Sequence, residues 1–217
     1  MSADTKTSVV VIDDHPLFRK GVADLIRMEP NLQLVGEAAD GESGVRVAKA
    51  TGPDLILLDL NMKGCNGIQT LERLRAADLD ARVIVLTVSD AEEDVVAALR
   101  AGADGYLLKD MEPEEILEGL RRATQGRVVI SERLTELLAH ALRDDARPQR
   151  PEHAGLTPRE QEILALIARG YSNKLIARDL DLTVGTVKVH VKHILKKLAI
   201  KTRVEAAVWA VNSQARG

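Results

Sequence analysis

The chain of 217 residues has few of the residues that mark several large protein classes. Its single cysteine, Cys65, excludes an internal disulfide and a thiolate cluster for structural zinc. Aromatic residues make up only 2% of the sequence, which argues against a large aromatic-lined pocket for a small molecule. Apolar runs are short and Met1–Thr7 is polar, so we expect neither a membrane span nor a secretory signal, and a cytoplasmic location.

Charge is distributed unevenly along the chain. Residues 1–154 contain 19 Lys and Arg against 28 Asp and Glu, a net charge of −9, and residues 155–217 contain 11 against 5, a net charge of +6. A basic, aromatic-poor segment of this kind suits the phosphates of duplex DNA. A solvated basic face explains the charge alone equally well. The length and the asymmetry together favour two domains with different partners.

Short apolar runs alternate with amphipathic helical patterns through the first part of the chain. Strands are predicted at Val9–Asp13, Leu32–Ala38, Asp54–Asp59, Val83–Thr87 and Gly105–Lys109. Helices are predicted at Phe18–Met28, Ser43–Ala50, Ile68–Ala76, Glu92–Ala101 and Pro113–Thr124. Five βα units predict an α/β domain with a doubly wound, five-stranded parallel sheet over residues 1–125.

The pattern changes after this domain. Residues 126–154 are predicted to be a linker with one helix at 134–142, because the stretch from Arg143 to His153 has almost no apolar content. Residues 155–217 predict four short helices, the first opened by a capping box at Thr157 and Glu160. The short connection Asp181–Thr183 between the second and third helices is typical of a helix-turn-helix domain.

Polar residues follow the strands of the first domain at the edge where a parallel sheet gathers its reactive groups. Asp13, Asp14 and Asp59 should converge there, and three carboxylates so close need a cation, most simply Mg²⁺ (or Mn²⁺). Asp59 is then placed as a nucleophile for an aspartyl phosphate. Lys109 would supply positive charge to the phosphate oxygens and Thr87 a hydroxyl donor.

Each of these residues also has an ordinary structural interpretation. A lone Asp at a strand end is usually a helix cap or a turn residue, and only the coincidence of several such positions favours a site. The five histidines show no ligand spacing, so surface or cap roles are expected for His15, His140, His153, His190 and His193. A Mg²⁺-dependent phosphohydrolase is an alternative, but a dehalogenase-type site wants a second Asp where Asn61 stands.

Four spaced motifs resemble the receiver domain of bacterial two-component response regulators. They are Val11–His15, Leu57–Asn61, Leu86–Val88 and Tyr106–Lys109. The resemblance implies that Asp59 accepts phosphoryl from a sensor histidine kinase, with only slow self-dephosphorylation and no enzymatic turnover. It also implies that Asp13, Asp14, Asp59 and the Asn61 backbone carbonyl bind the metal ion, that Thr87 moves towards the phosphate, and that Tyr106 changes rotamer. Lys63 departs from the usual Pro at its position.

The later part of the chain resembles the four-helix output domain of the NarL/LuxR family. Its motifs are Leu156–Glu160, Asn173–Ala177 and Thr186–Val191. The resemblance implies a transcription regulator that binds duplex DNA at paired half-sites as a homodimer, with RNA polymerase as a further candidate partner. It also implies nitrate- or nitrite-responsive control of anaerobic respiratory genes. Gly185 departs from the usual pattern and could loosen the first turn of the third helix.

Helical spacing sorts the basic residues of this domain. Lys188, Val189 and Lys192 share the outward face of the third helix and are the predicted base contacts. The predicted phosphate contacts are Lys174, Arg178, Lys196 and Lys201. The last helix has an apolar stripe that could pair two protomers or belong to the core, formed by Val204, Ala207, Val208 and Val211.

The charge asymmetry leads to a hypothesis about regulation. The acidic first domain would dock against the basic second domain and cover the Lys188–Lys192 face until Asp59 is phosphorylated. A small-molecule-sensing regulator with the same output domain is a second alternative. The first 154 residues contain only Phe18 and Tyr106 as aromatics, which disfavours a ligand pocket there.

Overall fold

The computed structural model describes residues 6–63, 66–77, 79–124, 129–130, 155–200 and 202–214. The helix predicted at 134–142 and most of the predicted linker therefore lie outside the described residues. None of the helices in the described part of the chain combines the length and apolar content that crossing a membrane would need.

The first domain is built on a parallel sheet, as the sequence predicts. Its strands are β1 (Thr7–Ile12), β2 (Leu32–Ala38), β3 (Leu55–Leu58), β4 (Arg82–Thr87), β5 (Gly105–Leu108) and β6 (Val129–Ile130). They pair in the order β2-β1-β3-β4-β5-β6, so the five predicted strands are confirmed. The short strand β6 lies in the predicted linker and pairs with the free edge of β5, a place that suits two β-branched residues.

Helices cover both faces of the sheet. They are α1 (Pro16–Met28), α2 (Gly41–Thr51), α3 (Gly67–Ala76), α4 (Glu92–Arg100) and α5 (Pro113–Thr124). Successive strand residues point to opposite faces, so Ile56 and Leu58 pack with α2, α3 and α4 while Leu55 and Leu57 pack with α1 and α5. Because both faces are buried at the centre of the sheet, Val9–Ile12, β3 and Val83–Leu86 are continuous apolar runs, and the polar residues of these strands and their neighbours lie at the strand ends.

The described part of the second domain contains four helices, as predicted. They are α6 (Pro158–Ala168), α7 (Asn173–Asp179), α8 (Val184–Leu198) and α9 (Arg203–Gln214). The predicted capping box at Thr157 and Glu160 is formed, and the hydroxyls of Ser172 and Thr183 cap α7 and α8. Their shared core includes Ile163, Ile176, Val187, Ile194 and Ala206. The turn between α7 and α8 contains Asp181 with φ of 52°.

The two domains contact each other. Val204 of α9 is buried in the hydrophobic cluster that α3 and α4 form with the sheet. Two lysines of the second domain pair with carboxylates of the first, Lys174 with Asp54 and Lys188 with Asp80. The second domain therefore lies against the edge of the sheet at which β3 and β4 begin, opposite the edge that carries the predicted phosphorylation site.

Candidate functional site

Four polar side chains from four strand ends meet at the carboxyl edge of the sheet. Asp13 and Asp59 directly follow β1 and β3, Thr87 ends β4, and Lys109 directly follows β5. The parallel pairing of β1, β3, β4 and β5 brings these ends together. The structure thus assembles the cluster that the sequence predicts.

Lys109 is the positive centre of this cluster. Its Nζ lies 2.7 Å from Asp13 Oδ2 and 2.7 Å from Asp59 Oδ2, and the two carboxylates are almost fully buried. The ammonium also lies 4.6 Å from the centroid of the Phe18 ring, a cation–π contact that sequence reasoning missed. A buried ammonium shared by two carboxylates can later stabilise the oxygens of a phosphoryl group on Asp59.

Asp14 is held differently from the other two carboxylates. Its Oδ2 accepts a hydrogen bond of 2.8 Å from the backbone N–H of Lys63, in the loop after β3. Proline has no N–H, so the departure at Lys63 supplies a bond that the usual residue could not make. The Asp14 Oδ1 atom is buried and accepts no hydrogen bond among the described residues. A buried carboxylate oxygen whose nearest nitrogen is that of the exposed His15, at 2.9 Å, fits a divalent cation at this place.

The exposed His15 also lies beside this cluster, and its position agrees with the expected surface or cap role. It is the N-cap residue of α1, and its Nδ1 lies 2.9 Å from Asp14 Oδ1. One ligand atom each from Asp13, Asp14, His15 and Asp59 lies within 4.8 Å of the others. The sequence signal was the position of His15 directly after two carboxylates at a strand end, which a search for spaced metal ligands overlooks.

Thr87 and Tyr106 each make a side-chain hydrogen bond to a neighbouring loop. The Asn61 side-chain amide donates a hydrogen bond of 3.1 Å to Thr87 Oγ1, a contact that the sequence did not suggest. The backbone N–H of Asn61 also donates to Asp59 Oδ1 at 3.1 Å. The Tyr106 ring is fully buried, and its hydroxyl donates to the Ser89 carbonyl at 2.8 Å. Burial and the nearby carboxylates raise the pKa of the Tyr106 phenol, which therefore stays a neutral donor.

The predicted base contacts occupy one side of α8. Val189 is 53% exposed and Lys192 is exposed, whereas Val187 and Ile194, on the other side of the helix, are buried in the core. Lys188 is half-buried, with its Nζ 3.2 Å from Asp80 Oδ1 of the first domain. The face predicted to read DNA is therefore open at Val189 and Lys192 and covered at Lys188.

The predicted phosphate contacts are also divided. Arg178 and Lys196 are exposed, while Lys201 lies outside the described residues. Lys174 pairs with Asp54, which also accepts hydrogen bonds from the backbone and hydroxyl of Ser8. Burial alone would raise the pKa of Asp54, but the hydrogen bonds from Lys174 and Ser8 outweigh it and hold this pKa below its usual value.

The acidic residues that receive these lysines were missed by sequence reasoning. Asp54 precedes β3, Asp80 lies two residues before β4 and Asp104 precedes β5, so carboxylates recur at the amino edge of the sheet. Asp104 accepts hydrogen bonds from Arg75 and from the backbone N–H of Val83. Arg203 of α9 lies near enough to this group for Asp104 to raise its pKa, although burial lowers the pKa overall. The sequence signal that could have found these residues was an Asp shortly before each of the strands β3, β4 and β5.

The apolar stripe of α9 does not face a single environment. Val204 is buried against the first domain and Ala207 is buried in the core of the second domain. Val211 is 53% exposed, and the side chain of Val208 lies outside what the structure describes. Part of the predicted pairing surface is thus occupied by contacts within the chain.

Comparisons with known proteins agree with this architecture. Residues 9–121 match the response regulator receiver domain, and residues 154–210 match the bacterial regulatory proteins of the luxR family. The nitrate/nitrite response regulator protein NarL of Escherichia coli (strain K12) is 55% identical over 209 residues, which cover 96% of this chain and 97% of that protein. The nitrate/nitrite response regulator protein homolog of Haemophilus influenzae is 46% identical over 94% of this chain and 95% of that protein.

A solved structure extends the likeness to three dimensions. The crystal structure of the response regulator ChrA, from a heme-sensing two-component system, has a TM-score of 0.52 and 32% identity, covering 96% of this chain and 98% of that one. The two domain matches and the full-length relatives lead to the same assignment. The chain belongs to the two-component response regulators of the NarL/LuxR family, transcription regulators that join a receiver domain to a LuxR-type DNA-binding domain.

Proposed function

We propose that Asp59 is the phosphoacceptor and that its phosphorylation controls DNA binding by residues 155–217. The observation that carries this proposal is the convergence of Asp13, Asp59 and Lys109, with 2.7 Å between the ammonium and each carboxylate. The full-length similarity to nitrate/nitrite regulators supports nitrate or nitrite as the signal that reaches the chain through a sensor histidine kinase. We assign residues 1–125 to the receiver, 126–154 to the linker and 155–217 to the output domain.

The proposed chemistry is a single phosphoryl transfer. A carboxylate oxygen of Asp59 attacks the phosphorus of a phosphohistidine, the N–P bond breaks, and an acyl phosphate forms on Asp59. Mg²⁺ (or Mn²⁺), held by Asp13, Asp14, Asp59 and the Asn61 carbonyl, would neutralise charge on the phosphoryl oxygens. Loss of the phosphate is slow self-dephosphorylation, and no further turnover is proposed.

We propose Thr87 and Tyr106 as the switch residues, as the resemblance to receiver domains implies. Phosphorylation would draw the Thr87 hydroxyl away from Asn61 and towards the phosphate, and Tyr106 would change rotamer in response. Tyr106 is already linked to the β4–α4 loop through the Ser89 carbonyl. The Ser89 carbonyl, in the loop that follows Thr87, is therefore a hydrogen-bonded position through which a change at Asp59 would reach the surface.

The proposed DNA contacts lie on α7 and α8. Lys188, Val189 and Lys192 would read base edges, and the phosphate contacts would be Lys174, Arg178, Lys196 and Lys201. A dimer formed through Val204, Ala207, Val208 and Val211 would place two α8 helices on half-sites about 34–36 Å apart. The protein would act in the cytoplasm, where its DNA is, with RNA polymerase as a further candidate partner.

We propose that the domain contacts described above hold the unphosphorylated chain closed. Lys174 and Lys188, two of the proposed DNA contacts, are engaged by Asp54 and Asp80. Val204 of the proposed dimer stripe is buried against the receiver. DNA phosphates and receiver carboxylates would compete for the same cations, so closure and DNA binding would oppose each other.

The test of gating is an anisotropy titration of the full chain on a duplex with two inverted half-sites. It compares the wild type, Asp59→Asn and the control Asp24→Asn, an exposed carboxylate of α1, each with and without acetyl phosphate and Mg²⁺. The phosphodonor should tighten binding of the wild type and of Asp24→Asn and leave Asp59→Asn unchanged. Equal responses in the wild type and Asp59→Asn would refute the assignment of Asp59.

Closure has a separate test without phosphate. The double variant Asp54→Asn/Asp80→Asn removes two partly exposed ion pairs, worth about 0.2–1 kcal/mol each, so DNA affinity should rise by roughly two- to thirtyfold. The matched control Glu42→Gln breaks an exposed pair with Arg46 on α2 and should change nothing. Equal DNA affinity of the unphosphorylated full chain and an isolated 155–217 fragment would contradict closure.

A further inference from the structure

We propose that Phe18 is a positioning residue for the phosphoryl transfer, and that it acts by holding the Lys109 ammonium against the face of its ring. The proposal rests on the proposed function of Asp59 and Lys109 and goes beyond it, because it gives a neutral side chain of α1 a part in the transfer. Phe18 is the only phenylalanine of the chain.

The contact joins two elements that are distant in the sequence. Lys109 directly follows β5, and Phe18 lies in the first turn of α1. The Lys109 Nζ atom lies over the Phe18 ring, 4.6 Å from its centroid, within the distance of about 6 Å at which a cation and an aromatic face attract each other. The Lys109 side chain is only 6% exposed, so water weakens this attraction little.

The ring adds to the contacts that the ammonium makes with two carboxylates. Nζ lies 2.7 Å from Asp13 Oδ2 and 2.7 Å from Asp59 Oδ2. An ammonium has three N–H donors, and these two oxygens account for two of them. The Phe18 ring therefore supplies a third attractive contact, which limits the positions that the flexible lysine side chain can take.

A neutral partner suits the phosphoryl transfer for an electrostatic reason. Once a phosphoryl group is bonded to Asp59, that side chain is no longer a free carboxylate, and its hold on Lys109 weakens. A third carboxylate in place of the ring would repel the negative phosphoryl oxygens. An aromatic face attracts the ammonium without adding net charge. Phe18 can thus keep the ammonium beside the phosphoryl oxygens while the charge of Asp59 changes.

Packing and the cation–π contact must be varied separately to test this role. Phe18 also packs against the apolar cluster between the sheet, α1 and α5, so removing its ring changes both. Each fluorine atom on the ring draws electron density from its face and changes its volume little. Because the chain has one phenylalanine, incorporation of a fluorinated phenylalanine alters this residue and no other.

The experiment measures the rate at which the full-length chain forms an acyl phosphate from acetyl phosphate and Mg²⁺, by electrophoresis that separates the phosphorylated chain. It compares phenylalanine with its mono-, di- and trifluorinated forms at position 18, and the rate should fall with each fluorine. Phe18→Leu, which keeps an apolar side chain, should be slower than the wild type by about five- to thirtyfold. The control Leu17→Ala, which alters the 89% exposed neighbour of Phe18, should keep the wild-type rate.

The outcomes separate this proposal from the proposed function. Equal rates across the fluorinated series would overturn it and leave Phe18 with a packing role alone, even if Phe18→Leu were slow. A wild-type rate in Phe18→Leu would overturn it as well. Neither result affects the assignment of Asp59, which requires that Asp59→Asn form no acyl phosphate. Failure of the wild type to form any acyl phosphate would instead overturn the proposed function.

Discussion

The Lys–Asp ion pairs at the two edges of the receiver sheet differ in their exposure to water. At the carboxyl edge, the side chains of Asp59 and Lys109 are 0% and 6% exposed. At the amino edge, the paired side chains of Lys174 and Asp54 are 62% and 33% exposed. The same residue types thus form a fixed, water-poor cluster on one side and an interface open to water on the other. The two ion pairs contain the same residue types, so the difference between the proposed phosphorylation site and the domain interface lies in how deeply each pair is buried.

The difference follows from the cost of removing charge from water. Buried carboxylates are tolerable only with a fixed positive partner, so the carboxyl edge must keep Lys109 or a metal ion at all times. Partly exposed pairs gain little when formed and lose little when broken. An edge of that kind can release its partner at small cost, which a reversible domain contact requires.

The two edges are joined by the same strands. Asp54 and Asp59 flank the four residues of β3, and the five residue-to-residue steps of extended chain between them span roughly 17 Å. Val204 of the second domain is also buried in the cluster that includes Val95 and Leu99 of α4, the helix that follows the Thr87 loop. A structural change at the carboxyl edge, including one at Thr87, can therefore affect the domain interface in two ways. One is through β3, and the other is through α4, which packs against Val204.

Removing Lys109 should have the largest effect on stability. Lys109→Met leaves Asp13 and Asp59 buried beside each other, and in EDTA we expect a loss of about 3–5 kcal/mol of unfolding free energy. Mg²⁺ should restore part of it, because the ion supplies the missing charge. Urea unfolding followed by circular dichroism measures the loss in EDTA and the recovery with Mg²⁺. The exposed Lys49→Met is the control and should change stability by less than about 0.5 kcal/mol. A similarly small loss for Lys109→Met would contradict the contrast between the edges.

The loop after Asp59 should be the next most sensitive feature of the carboxyl edge. A methyl group added at Gly67 would meet backbone atoms, including the Asp59 carbonyl oxygen at 2.5 Å, so Gly67→Ala should cost about 1–3 kcal/mol. At Gly21, within α1, nothing lies within 4 Å, and Gly21→Ala should instead gain about 0.5–1 kcal/mol. Thermal unfolding of the two variants gives the comparison. Equal shifts in Tm would show that the loop has room to adjust.

The carboxyl edge was largely predictable from the sequence, because it depends on local order. An apolar run such as Leu55–Leu58 predicts a buried strand, and parallel strands bring their following residues to one edge. Asp13, Asp59, Thr87 and Lys109 were found in this way. The contact between His15 and Asp14 was missed because the two residues are adjacent, and whether neighbouring side chains meet depends on rotamers that the sequence does not encode.

The amino edge and the domain contact were much less predictable. The charge difference between the halves indicated attraction, but Lys174 and Asp54 are 120 positions apart and no periodic pattern relates them. Strand β6 has only two residues, too few for a hydrophobic period, and it depends on the free edge of β5. Features that arise from docking of preformed surfaces leave weak traces in the sequence.

The smallest expected effect concerns the ion pair between Lys174 and Asp54, and it sharpens the contrast with Lys109. A double-mutant cycle of Lys174→Met and Asp54→Asn should give a coupling below about 1 kcal/mol at neutral pH, because both side chains are partly exposed. The pKa of Asp54 is lower in the folded chain than in the unfolded one. The coupling is therefore fully present above the unfolded value and should disappear as the pH falls below about 4. Urea unfolding at several pH values measures it, with the Glu42–Arg46 pair of α2 as an exposed reference. A coupling energy as large as the loss expected for Lys109→Met, or one that grows on acidification, would contradict the contrast between the two edges. The amino edge would then be held as rigidly as the carboxyl edge, and domain release would need more than the loss of weak ion pairs.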